Sequence, residues 1–171
     1  HALILTYKFR FITSSLLADF RSISQKNSNK SLKILLEHGY LDKNFEKSYI
    51  IEGKGPRYYL TRRSIAYLRE TTSIDPRALR VMYKNGALST TFIEHSLEVM
   101  KVYLQLRTLY PGDFETFTKI ELYPFASLPP SRPDLYLRGV SPNKGNPQEY
   151  MLDIVSNDPF FVIKKRISRF I

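Results

Sequence analysis

The sequence predicts a mixed α and β chain in two parts, and three observations carry that reading. A run at residues 27–38 has helical apolar spacing and closes at Gly39. A glycine-punctuated stretch over residues 45–61 has the look of a strand pair. Beyond Ser89 a long helical pattern is followed by three strand-like segments and a basic amphipathic run. With 171 residues, 43% hydrophobic and 13% aromatic, the chain has enough apolar material to bury a core.

Leu3 to Phe11 is a short apolar and aromatic run that supplies a first helix, and Thr13 or Ser14 caps a second with Leu16, Leu17 and Phe20 on one face. A polar stretch, residues 22–29, leads into Leu32, Leu35 and Leu36, whose i, i+3, i+4 spacing marks a buried stripe. Gly39 takes the left-handed position past the helix end, while Asn29, Lys30 and Lys33 fall away from the stripe. Residues 45–52 and 57–61 then pair as strands across Gly53-Lys-Gly-Pro56, with Lys54 and Arg57 at the loop tip. Thr61 caps a further helix over 62–70, with Ile65, Ala66 and Leu68 inward. Helix, helix, helix, hairpin, helix is the order of a winged helix-turn-helix domain, expected over residues 1–72.

Residues 73–91 read as a connector, in which Asp75-Pro76 starts a short helix and Asn85-Gly86 stops it. Ser89, Thr90 or Thr91 caps a long helix over 92–109 that buries Ile93, Leu97, Met100 and Leu104 and breaks at Tyr110-Pro-Gly112. Strands are expected at 115–123, 134–138 and 150–155. A last helix begins near Asp158-Pro159, with Phe160, Phe161, Ile163, Ile167 and Phe170 on an apolar face and Lys164, Lys165, Arg166 and Arg169 on a basic one. The second part, 92–171, therefore runs helix, three strands, helix.

Lys and Arg outnumber Asp and Glu by 26 to 16, a formal +10. Residues 1–75 carry 13 basic and 7 acidic groups and residues 76–171 carry 13 and 9, so both parts are basic. That balance favours a polyanion as partner, and duplex DNA above a membrane surface. The absence of cysteine excludes disulfides and thiolate sites, and His1, His38 and His95 are too far apart in sequence to suggest zinc. No apolar run reaches 18 residues and the first six residues are too short and uncharged for a signal peptide, so a cytoplasmic protein without a membrane partner is expected.

Two constellations carry chemistry. In a winged helix the third helix enters the major groove and the hairpin lies along the backbone, so Lys30, Lys33, Lys54 and Arg57 would neutralise phosphates, and Asn27 and Asn29 would reach base edges. The alternative is a solvated helix face and a polar turn. Tyr58 and Tyr59 could stack on nucleotides, but strand alternation favours packing for Tyr58.

The second constellation is Arg132-Pro133-Asp134, followed by Asp153 late in the next strand. Hairpin pairing would bring Asp134 and Asp153 to one sheet end, where they could share a divalent cation, as in restriction-endonuclease-like nucleases that hold magnesium. Glu94 or Glu98 would supply a third carboxylate. Val155 stands where such a nuclease carries its lysine, leaving Lys164 or Lys165 as substitutes, so catalysis is disfavoured. His95, beside Glu94 and Glu98, reads as a packing or surface histidine rather than a base.

Several stretches occur in a familiar order: Leu32-Lys-Ile-Leu-Leu-Glu-His-Gly-Tyr-Leu41, Arg57-Tyr-Tyr-Leu-Thr61, Glu94-His95 opening the long helix, Arg132-Pro-Asp134, and Met151-Leu-Asp153 with Lys165 beyond it. In this order and spacing the chain resembles the replication-relaxation family of plasmids and other mobile elements. The resemblance implies a winged helix joined to a degenerate or truncated restriction-endonuclease-like α-β-β-β-α core, acting in replication, relaxation or mobilisation. Such proteins often carry an acid-x-acid pair and a Gly-Thr turn on the third strand. Here Asp153 matches the first acid, Val155 replaces the second, and Ser156-Asn157-Asp158 replaces the turn. DNA binding is the leading expectation, with the second part as a scaffold or a homodimer surface; the alternatives are an endonuclease that uses Mg2+ or manganese, and an interaction protein whose winged helix binds a relaxase or replication initiator.

Overall fold

The apolar run at the start of the chain coils into α1 (Ala2–Phe9), which sends Leu5 and Phe9 into the core. Arg10 stops it in a left-handed conformation, φ 68°, and Ile12 then bridges antiparallel to Tyr58. Thr13 and Ser24 cap α2 (Ser14–Arg21) and α3 (Gln25–Glu37), each hydroxyl accepting a backbone N–H three residues on. Only residues 22–24 separate the two helices, and at this bend the buried Ser28 hydroxyl donates to the Ser14 carbonyl at 2.7 Å. α3 ends with the Gly39 and Tyr40 N–H groups on the Leu36 and Leu35 carbonyls, a closure that requires the positive φ of Gly39, 69°. These are coordinates of a computed structural model, which describes residues 1–125, 132–140, 148–155 and 160–168.

The hairpin departs from its sequence pattern. Residues 45–52 read as a strand in the sequence, yet the strand is β1 (Leu41–Asn44), which pairs antiparallel with β2 (Arg57–Leu60), Leu41 opposite Leu60. Between them α4 (Lys47–Ile51) forms a short helix. Gly53 explains it: the Gly53 and Lys54 N–H groups bond to the Ile50 and Tyr49 carbonyls and Gly53 has φ 64°. This repeats the closure that ends α3, so the glycine stops a helix instead of turning a hairpin.

Thr61 caps α5 (Arg62–Thr71), which buries Ile65 and Leu68. Residues 73–91 are more than a tether. Asp75 caps α6 (Pro76–Val81), a 3₁₀ segment (Met82–Ala87) follows, and Ala78, Leu79 and Met82 join one continuous core with Leu17, Leu32, Met100 and Leu135. Through that core runs α7 (Thr90–Leu109), capped by Ser89, with Ile93, Leu97 and Met100 buried.

β3 (Phe114–Thr118), β4 (Leu135–Gly139) and β5 (Glu149–Leu152) form an antiparallel sheet in that order. β3 is shorter than the strand pattern of 115–123 because the Glu121 carboxylate folds back to accept the N–H and hydroxyl of Thr118, at 2.8 and 3.0 Å. α8 (Phe160–Ile167) follows. Phe161 and Ile167, placed by periodicity on an apolar face, are exposed among the described residues. Asp158, Pro159, Arg169 and Phe170, and the side chains of Phe160, Lys165 and Arg166, lie outside the described residues. The fold is mixed α and β and rich in helix.

A Cβ at Gly39 or Gly53 meets no atom within 4 Å, so alanine there tests backbone conformation alone. Gly39→Ala and Gly53→Ala should each lower the unfolding free energy by about 1 kcal/mol in urea titrations. Gly55→Ala, where φ is not positive and space is also free, should stay within about 0.5 kcal/mol of the parent.

Candidate nucleic-acid interface and acid pair

α3 buries Ser28 and Leu32 and half-buries Leu35 and Leu36, which turns Lys26, Lys30, Lys33 and Glu37 onto the opposite side as one exposed stripe. Asn27 and Asn29, both exposed, flank it. The structure therefore groups the α3 residues picked out by sequence and adds Lys26, which the i, i+4, i+7 spacing with Lys30 and Lys33 would have revealed. Lys33 approaches Glu37 at 3.7 Å across exposed surface, a contact weak enough to exchange for a phosphate.

The β1–β2 connection is different. Residues 41–56 hold Lys43, Lys47 and Lys54 against Asp42, Glu46 and Glu52, so it carries no net charge. Lys54 pairs with Glu52, and the exposed apolar groups Phe45, Ile50 and Ile51 share this region, Ile51 at 88% exposure. Arg57 is not at a free tip at all: it is 2% exposed. Its guanidinium lies 3.6 Å over the Tyr49 ring, donates from Nη1 to the Gly55 carbonyl at 2.6 Å, and pairs with Glu94 through Nε at 3.2 Å and through Nη2. A strand reading of 45–52 hides this, because only the α4 turn brings Tyr49 under the guanidinium. Tyr58 is buried as strand alternation requires, and the half-buried Tyr59 donates its hydroxyl to Asp42 at 2.9 Å.

The two acids meet. Asp134, only 5% exposed, donates its backbone N–H to Asp153 Oδ1 at 3.1 Å, and its own Oδ2 accepts the Ile154 N–H at 3.0 Å. The same Oδ2 lies 3.1 Å from His95 Nε2. His95 is thus the third member of the group, in place of Glu94, which pairs with Arg57, and Glu98, which pairs with Lys101 at 2.9 Å. Helix periodicity hid it, since a histidine one turn into α7 reads equally well as surface or packing. Burial pushes the Asp134 carboxyl up, but the hydrogen bonds from His95 and Ile154, together with charge interactions with His95 and Lys119, outweigh it and leave the group below its ordinary value.

This arrangement clasps the start of β4 to the end of β5 and to α7. Both carboxylates spend oxygens on N–H donors, and no group of three His, Cys, Asp or Glu is placed to hold a metal among the described residues. Val155 is exposed beside the pair, and Lys164, exposed on α8, makes no side-chain hydrogen bond or ion pair among the described residues. The Lys165 side chain lies outside them.

Two variants test these contacts. Arg57→Lys keeps the charge but cannot at once stack on Tyr49 and bond Gly55 and Glu94, so it should destabilise by about 2 kcal/mol, and Arg57→Ala by about 3 kcal/mol, in chemical denaturation. Asp134 titrates lower in the folded chain than in the unfolded one, so its stabilisation is complete above the usual carboxylate range, near pH 4, and is lost as pH falls through the folded value. Asp134→Asn should therefore be less stable than the parent at pH 7, with the gap closing below about pH 4.

Comparison with known families places a match to the replication-relaxation model over residues 3–139, from α1 through β4. It takes in α3, Arg57, His95 and Asp134 and stops before Asp153. No curated protein and no solved structure matches the chain significantly. Among the described residues, no helix is long and apolar enough to cross a membrane.

Proposed function

Since the chain belongs to the replication-relaxation family, we propose that it binds duplex DNA of a plasmid or mobile element during replication or relaxation, with α3 as the groove-entering helix. The observation that carries this is the single exposed stripe of Lys26, Lys30 and Lys33 on a helix docked on α2 across a three-residue bend. A helix held that way projects cations at the spacing of successive phosphates while its inner face stays fixed to the core. In this reading residues 1–72 act as a winged helix-turn-helix unit. Asn27 and Asn29 are the side chains suited to base edges, since an amide pairs bidentately with adenine.

The hairpin contributes less than the helix. With Arg57 committed to Glu94 and Lys54 balanced by Glu52, the β1–β2 connection adds little net attraction, and its role is to buttress α3 and present Lys54 at the margin of the contact. The second part, from α7 onward, serves as the platform on which that unit sits.

Fluorescence anisotropy on duplex DNA from the parent replicon, repeated over a salt series, is the direct test. Lys26→Ala, Lys30→Ala and Lys33→Ala should each flatten the slope of log K against log salt by about 0.9 if each meets one phosphate. Arg57→Ala, measured where the variant remains folded, should leave the slope unaltered. Absence of duplex binding, or a slope indifferent to all three lysines, would overturn the proposal.

A further inference from the structure

A cavity of about 430 Å³ opens where α1, α7 and the segment after β3 come together. That volume falls in the range of small-molecule sites. Phe9, Val81, Phe92, Val99 and Ile120 give it an apolar lining. Three cations, Lys8, Arg10 and Lys119, line it as well, together with His95 and Asp134.

The charges are not equally engaged. Lys8 donates to the Thr116 carbonyl at 2.6 Å and lies 3.2 Å from Glu121. Arg10 holds Asn85 Oδ1 through Nε and Nη2, at 3.0 and 2.6 Å, and its guanidinium sits 4.6 Å over the Phe92 ring. Burial lowers the Arg10 group to about 10, which leaves it charged at neutral pH. Asp134 is already bonded to His95 and Ile154. Lys119 is exposed, lines the cavity, and makes no side-chain hydrogen bond or ion pair among the described residues, although its charge acts through space on Asp134.

The backbone adds a second indication. Arg10 adopts φ 68°, a conformation that side chains other than glycine rarely take, and it is through this turn that the guanidinium reaches Asn85 and Phe92 at the cavity wall. Strain of this kind persists where the surroundings over-determine it and clusters at ligand sites. An apolar lining beside cations, with the carboxylate of Asp134 already bonded, suits a molecule that has a flat apolar body and a single negative group. A bare inorganic anion would leave the apolar lining uncovered.

We propose that this cavity is a binding site for a small organic anion, its apolar body against Phe9, Val99 and Ile120 and its carboxylate, sulfonate or phosphate against Lys119. The site joins the first helix of the chain to α7 and the sheet, and is separate from the α3 stripe.

The test uses the full chain and 1-anilinonaphthalene-8-sulfonate, whose emission rises when its rings leave water and whose sulfonate supplies the charge. The expected result is saturable binding at one site per chain under native conditions. Lys119→Glu, a change at an exposed side chain, should weaken it at least about tenfold, the loss of one charge-assisted contact. Ser96→Phe, which fills the cavity from α7, should abolish it. Naphthalene-2-carboxylate should displace the probe while inorganic phosphate at equal concentration should not. Affinity unchanged by Lys119→Glu, the absence of saturable binding, or equal displacement by phosphate would each overturn the proposal. No DNA enters the assay, so its outcome is independent of the α3 result.

Discussion

The Arg57 guanidinium is the contact on which the arrangement of the chain most depends. A buried positive charge is tolerated only when its donors are matched, and here the Tyr49 ring of α4, the Gly55 carbonyl of the loop before β2 and Glu94 of α7 surround it. Glu94 belongs to α7, so the pair ties the hairpin to the long helix that carries the second part. Arg57 thereby does for the interior what sequence inspection assigned to the surface. One side chain sets the packing of β2, the coiling of α4 and the seat of the first part on α7.

Much of the order of elements was legible because it rests on local chemistry. Caps at Thr13, Thr61, Asp75 and Ser89, the leucine stripe of α3 and the glycine at its end all act within a few residues. The same rule, read at Gly53, would have disclosed α4: Gly39 and Gly53 make identical closures, but the apolar run Tyr49-Ile-Ile51 before Gly53 reads as strand as readily as helix. What resisted inspection was long-range. The destination of Arg57 depends on a residue 37 positions away, and that of His95 on Asp134 across the sheet, and no periodicity encodes either.

The candidate sites divide along the same line. The α3 stripe was legible because helical geometry alone determines it, and that geometry also supplies Lys26. The meeting of Asp134 and Asp153 could be anticipated from hairpin pairing, but not what they would do when they met. Each accepts a backbone N–H at the other's end of the hairpin, with His95 completing the group, so the acids fasten this end of the sheet to α7. The exchange of N–H groups draws the two strands together even though like charges would otherwise separate them.

A short helix set into the β1–β2 connection, stopped by Gly53 and anchored by Tyr49, changes what that connection can contribute on meeting a macromolecule. A loose loop must surrender conformational freedom on contact, which weakens association. This one arrives already ordered, so it trades adaptability for preorganisation, and a surface that does not fit its shape gains nothing from its flexibility.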